Sequence, residues 1–207
     1  MRRVVQVKPT GKERVIIRLS NGEQLNLSAE QWLKSELKVG AELTAEEMNR
    51  WRQAGKKSYY YQSALQQISR RPRSVQEIKV WLKKKKLTAD LIDQIVDQLL
   101  AKGWLDDAAF AHWWVEQRLA FRPKGKRVLA SELRAKGVDP QLITQVLDTV
   151  DDQQEQIVAL ARNRLSRLSG LPSMVVRRRL QNFLLRRGFA STSVRRVVDE
   201  LLGNRYT

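Results

Sequence analysis

The chain has 207 residues, a formal charge of +17 from 39 Lys and Arg against 22 Asp and Glu, and no cysteine. Its composition, 42% hydrophobic and 29% charged with ten Gly and five Pro, is that of a globular protein and not of a disordered or fibrous one. The absence of cysteine excludes disulfide frameworks, thiolate zinc sites and cysteine nucleophiles, and the length allows one or two domains. Apolar runs such as Val15 to Ile17 are far too short to span a bilayer, and Met1-Arg2-Arg3 opens no signal-peptide core, so the expectation is a soluble cytoplasmic protein without membrane contact. A charge this positive concentrates polyanions, of which nucleic acid is the commonest inside a cell.

Residues 1 to 27 are rich in β-branched residues. Val15-Ile16-Ile17-Arg18-Leu19 and Leu25-Asn26-Leu27 flank Ser20-Asn21-Gly22, a hairpin signal. A two-residue turn mixes apolar and polar faces. A three-residue loop with Gly22 left-handed pairs Ile17 with Leu25 and Val15 with Leu27 on one apolar face and is preferred. Val4, Val5 and Val7 supply a third strand. Ser28 with Gln31, and Thr44 with Glu47, have the spacing of capping boxes, which predicts two short helices after the strands.

From Lys57 onward the spacing is helical and repeats with a period of 51 residues. Ile78, Leu129 and Leu180 correspond, as do Leu82, Leu133 and Leu184, then Leu87, Val138 and Phe189, and Ile92, Ile143 and Val194. The register continues through Ile95, Val146 and Val197, through Val96, Leu147 and Val198, and through Leu99, Val150 and Leu201. Within each copy an i,i+4 pair marks one helix and an i, i+3, i+4, i+7 stripe the next. Thr88 and Asp139 stand as N-caps of that second helix, with Pro140 at its first turn. A preceding helix over 60–70, 108–119 or 153–168 completes each unit, and Pro72 and Pro123 close the first two. The predicted fold is mainly α: three tandem three-helix repeats, 58–104, 105–150 and 151–207, forming an elongated array behind a small β-rich α+β domain, 1–57.

Particular blocks are recognisable. Ala64-Leu65, Ser69 to Ser74, Lys102-Gly103-Trp104-Leu105-Asp106-Asp107-Ala108-Ala109-Phe110-Ala111, Pro123-Lys124-Gly125 and Glu132 to Val138 resemble, in content, order and spacing, the RecX regulatory-protein family. The resemblance covers about residues 58 to 202 and is sharpest between Arg70 and Val138. It implies a crescent of three-helix repeats lodged in the groove of a RecA filament on single-stranded DNA, suppressing ATPase, strand exchange and co-protease activity, in the setting of DNA repair, homologous recombination and the SOS response. It also implies a non-enzymatic protein, and marks Trp104, Leu105, Asp106, Asp107, Phe110, Gly125 and Gly137 as motif residues with structural roles.

The residues themselves carry a second line of argument. The net charge is +5 over 1–57, +5 over 58–104, +1 over 105–150 and +6 over 151–207. Candidate contacts to RecA or DNA are Arg70, Arg71 and Arg73 between helices, Lys83, Lys84, Lys85 and Lys86 at a helix end, and Arg122, Lys124, Lys126 and Arg127 in the middle repeat. Arg177, Arg178, Arg179, Arg186, Arg187, Arg195 and Arg196 complete the set in the third. Forked guanidinium groups grip phosphate or carboxylate in bidentate fashion, whereas cations in a last helical turn also serve simply to complement the macrodipole. Tyr59, Tyr60 and Tyr61 beside Lys56 and Lys57 have the makings of a stacking site, although consecutive residues on a helix cannot share one face, so one or two of them are expected in the core.

Trp104 and Phe110 are expected in the core, with Trp113 or Trp114 the exposed aromatic. Asp106 or Asp107 is expected to cap the helix near Ala108 instead of binding metal, and the single histidine, His112, to pack or lie at the surface. Gly11-Lys12, followed by Glu13, lacks the Walker spacing. The expectation is therefore no enzyme, no cofactor and no metal, with RecA filament and single- or double-stranded DNA as partners of a monomer. Direct nonspecific DNA binding through the basic repeats is the alternative.

Overall fold

The structure, a computed structural model, describes residues 2–10, 14–35, 37–151 and 153–203; Gly11 to Glu13, the site of the rejected Walker motif, lie outside the described residues. The chain divides into two compact units, residues 1–71 with 78–105, and residues 72–77 with 106–207.

In the first unit a four-stranded antiparallel sheet is built from β1 (Arg2–Pro9), β2 (Arg14–Leu19), β3 (Gln24–Ser28) and β4 (Glu42–Leu43), in the order β3-β2-β1-β4. The hairpin has the expected register: Ile17 pairs with Leu25 and Val15 with Leu27, and Gly22 turns the chain at φ +82°. Alternation puts Val15, Ile17 and Leu19 on one face, where they are buried with Val4, Leu25, Leu27, Leu37, Leu43 and Met48. Each such side chain contributes about 1.5–3 kcal/mol by leaving water. The two-residue β4, beside β1 at Arg2 and Arg3, is too short to show in the sequence pattern.

Both capping boxes form. Gln31 N–H donates to Ser28 Oγ at the start of α1 (Ala29–Ser35), and Gln31 Oε1 accepts from Ser28 N–H. Thr44 and Glu47 exchange the same pair of bonds. The helix that Thr44 starts is not short, however. α2 runs without a break over Ala45–Arg70, joining what the sequence suggested were two helices. The expected boundary between residues 57 and 58 lies inside this helix, and nearby Gly55 has a packing role: a Cβ at this position would stand 1.9 Å from the Asn26 carbonyl oxygen, so α2 lies against β3 only because that side chain is missing.

The repeats then follow as expected, as α3 (Val75–Lys84) and α4 (Ala89–Ala101), α5 (Asp107–Phe121), α6 (Lys126–Ala135) and α7 (Pro140–Asp148), and α8 (Gln154–Leu165), α9 (Ser173–Arg186) and α10 (Ser191–Gly203). A 3₁₀ turn, Ser166–Leu168, extends α8. Six of the seven columns are buried in all three copies. The seventh is not: Leu99 is buried, but Val150 and Leu201 are only partly so, and Leu202 takes the inward position in the last helix.

Asp106 caps α5, accepting from Ala108 and Ala109 N–H, and Asp139 caps α7, accepting from Gln141 and Leu142 N–H. Thr88 occupies the cap position of α4 without a side-chain bond. The period also governs backbone conformation: Lys86, Gly137 and Gly188, 51 apart, all have positive φ, at 58°, 78° and 86°. Lys86 is exposed and carries its side chain there at a cost of about 1–2 kcal/mol. At Gly137 and Gly188 a Cβ would meet Gln76 at 2.5 Å and Val128 at 2.6 Å.

Candidate interaction surface

The first turns of α3 and α6 meet the last turns of the equivalent helices one repeat later. Ser74 is fully buried; its hydroxyl accepts from Glu77 N–H at 3.1 Å and donates to the Lys136 carbonyl at 2.7 Å. Fifty-one residues on, Gly125 N–H donates to the Arg187 carbonyl at 2.9 Å. A helix leaves its last carbonyls without partners, and here a donor from the preceding repeat satisfies one of them. Asp107 reinforces the first of these contacts by accepting from Val75 N–H at 2.9 Å. Burial pushes the Asp107 carboxyl above its ordinary value, the Val75 bond opposes this, and the charge of Asp106 adds to it. Of the paired aspartates, then, one caps its own helix and the other fastens α3.

A charge cluster sits beside these contacts. Glu132 accepts from Trp114 Nε1 at 2.9 Å, from Arg118 Nε at 2.8 Å and from Lys124 Nζ. Arg118 and Lys136 flank the Trp114 ring at 4.3 and 5.0 Å, and Lys136 Nζ also pairs with Glu77. Burial alone would raise the Glu132 carboxyl, but the bonds from Lys124, Arg118 and Trp114 and the charge of Arg118 outweigh it and hold the group below the usual carboxylate range.

The aromatic residues depart from expectation. Phe110 is buried, whereas Trp104 is 54% exposed. Gly103 at φ +69° reverses the chain after α4, Trp104 N–H bonds back to the Leu99 carbonyl, and Leu105, 3% exposed, takes the inward place instead. Trp113 and Trp114, one of which was expected outside, are both partly buried against Phe110 at 6.1 and 5.9 Å. Tyr61 is the core tyrosine and Tyr59 the exposed one, and His112 lies at the surface.

The proposed cations fall into two sets. Arg70, Lys83, Lys84, Lys86, Arg122, Lys126, Arg178, Arg179, Arg186 and Arg195 are exposed and have no ion-pair partner among the described residues, and Arg196 is exposed as well. Others act within the fold. Lys124 pairs with Glu132 and Arg177 with Asp199; Arg127 donates to the Leu185 carbonyl at 3.1 Å, and Arg187 donates to the Pro123 carbonyl at 3.3 Å while lying 4.8 Å from the Phe183 ring centre. Arg71 and Arg73 are half-buried, and Lys85 leans over Trp81. Lys126 and Arg127 also border a cleft of about 510 Å³ whose other walls include Leu185, Phe189 and Ser191. Ser74, Glu132 and Gly55 are the important residues that sequence reasoning missed. A serine immediately ahead of an amphipathic run was the one available signal, for Ser74. Among the described residues no cluster of His, Asp and Glu could hold a metal ion, and no helix is long and apolar enough to cross a membrane.

We expect Ser74→Ala to lower the unfolding free energy by about 1–2 kcal/mol, because it removes a helix cap and leaves the Lys136 carbonyl without its donor. Urea unfolding followed by circular dichroism measures this, and a midpoint unchanged from the parent would refute it.

The fold and these contacts define a class: tandem three-helix repeats, the second and third each capped by a donor from the repeat before it, with exposed cations concentrated on the outer copies. Family models describing the first, second and third three-helix domains of RecX match residues 61–99, 106–147 and 151–198. The regulatory protein RecX of Thermobifida fusca (strain YX) is 35% identical over 140 residues, which cover 67% of this chain and 76% of that one. The corresponding protein of Mycobacterium tuberculosis (strain ATCC 25618 / H37Rv) is 39% identical over 140 residues, covering 65% and 80%. A crystal structure of a regulatory protein RecX superposes with a TM-score of 0.77 at 21% identity over 99% of this chain and all of the other, and that of RecX from Lactobacillus salivarius with 0.64 at 25% identity over 70% and 96%. The chain belongs to the RecX family of regulatory proteins.

Proposed function

We propose that this protein binds the RecA filament on single-stranded DNA in its groove and modulates it, mostly by inhibiting ATPase, strand exchange and co-protease activity. Three RecX repeat matches in tandem support the reading. The exposed cations Lys83, Lys84, Arg178, Arg179, Arg186 and Arg195 are suited to acidic protein side chains and DNA phosphates. The working parts are the β-rich segment 1–57 and the repeats 58–104, 105–150 and 151–207, acting as a cytoplasmic monomer without cofactor or catalysis of its own. One molecule touching more than one RecA protomer biases the filament between states to the extent that its affinity for those states differs.

The test is the ATPase rate of RecA on excess single-stranded DNA in physiological salt while this protein is titrated in. Inhibition at well under one molecule per RecA is the expected result, because masking of excess DNA cannot act at that ratio. Inhibition only once the protein covers the DNA would replace this reading with direct, nonspecific DNA binding, whose affinity would fall steeply with salt.

A further inference from the structure

The first unit contains a groove of about 1130 Å³ between β3 and one face of α2, distinct from the cations of the second and third repeats. Arg52, Lys56, Tyr59, Gln62 and Gln66 stand at i, i+4, i+7, i+10 and i+14 along α2, so they share a face roughly 20 Å long. Across from them lie β3 and Arg14, and Lys34, Lys57 and Lys102 add to the lining. Among the described residues that line it, Glu30 is the only carboxylate and is paired with Lys34, while Arg52 is held by Glu23 from outside the groove. The groove exists because α2 approaches the Asn26 carbonyl at Gly55, so its floor is a close helix-to-strand contact.

We propose that this groove binds single-stranded nucleic acid. Its three kinds of group match the three parts of that ligand. Lys56 and Lys102 are exposed cations placed for phosphates. Tyr59 is 48% exposed, its ring held by an edge contact with Tyr60 and covered by the Arg14 guanidinium at 5.0 Å. An unpaired base therefore meets a guanidinium plane backed by an aromatic ring, and both stack with bases regardless of sequence. Gln62 and Gln66 carry amides that both donate and accept, as base edges require. A duplex hides its base faces, and an acidic peptide has no use for the stacking plane, so the combination selects an unpaired strand.

The experiment uses the full chain without RecA, with binding to fluorescein-labelled dT15 and U15 followed by anisotropy across a salt series. Tyr59→Ala is expected to weaken binding about tenfold and Tyr59→Phe to restore it. Lys56→Ala, a change at an exposed position, is expected to reduce the log–log salt slope by about 0.7. DNA and RNA are expected to bind alike, because stacking does not read the 2′-hydroxyl. Binding by Tyr59→Ala and Lys56→Ala within twofold of the parent would overturn the proposal, and circular dichroism melts confirm that the variants are folded. RecA is absent from this assay, so its outcome is independent of whether the filament reading holds.

Discussion

Gly125→Ala is expected to destabilise the second unit by about 3–4 kcal/mol, beyond the usual range for overpacking. Gly125 has an ordinary extended cap conformation, with φ −74° and ψ 160°, so backbone strain is not the cause. What forbids the methyl is proximity: a Cβ would stand 2.0 Å from the Gly188 carbonyl oxygen, 2.1 Å from its carbon and 2.2 Å from Phe189 nitrogen. All three are backbone atoms, and no rotamer change moves them away. Relief requires the first turn of α6 to separate from the last turn of α9, which costs the bond from Gly125 N–H to the Arg187 carbonyl and those of Arg127 and Arg187 beside it. Gly103→Ala is the control. It sits at φ +69° with nothing within 4 Å, so it is charged only the left-handed penalty of about 1–2 kcal/mol. Denaturant midpoints of the two variants measure the difference, and trypsin should cut faster at Lys124, Lys126 and Arg127 in Gly125→Ala alone. Equal midpoints would mean that the second and third repeats are not fastened at this point.

Those contacts show where sequence reading stops. The period of 51 residues identified six columns that are buried in every copy, because inward-facing residues leave a local record in spacing. The hairpin register and the capping boxes were legible for the same reason, each being a rule about neighbours within a few residues. The close approach of Gly55 to Asn26, 29 residues away, leaves no local record in the sequence, and the continuity of α2 across it was not legible. Trp104 read as core because it flanks the junction where the first two repeats have to pack, while the turn at Gly103 gave the inward position to Leu105. Among the basic residues, composition could not separate Arg187, bonded to the Pro123 carbonyl and lying on Phe183, from Arg186, which is exposed and has no ion-pair partner among the described residues. The period assigns the two to neighbouring columns, and only the fold gives one of them a partner 64 residues away.

Glu132→Ala should cost about 2–3 kcal/mol, the second-largest loss we expect. Breaking a buried ion pair from one side costs about 3–5 kcal/mol, and these groups, with side chains 19% exposed for Glu132, 27% for Arg118 and 31% for Lys124, keep enough water to lower that figure. The loss comes from what remains: two half-buried cations and the Trp114 N–H would all lose their acceptor. Glu132→Gln keeps the shape and one acceptor oxygen and is expected to cost less. Acid titration separates charge from shape. The folded Glu132 carboxyl is held below its ordinary value of 4.5, so the stability it contributes is present above about pH 4.5 and is lost as pH falls through the folded value. The gap between the parent and Glu132→Gln should therefore be constant near neutrality and close in acid. Asp107 has the opposite sign: burial raises its folded value above 3.8, so its ionised form opposes folding at neutral pH, and acid relieves that cost as it begins to erode the contribution of Glu132. A gap between parent and Glu132→Gln that stays constant down to pH 3 would show that the cluster holds the helices by shape and not by charge.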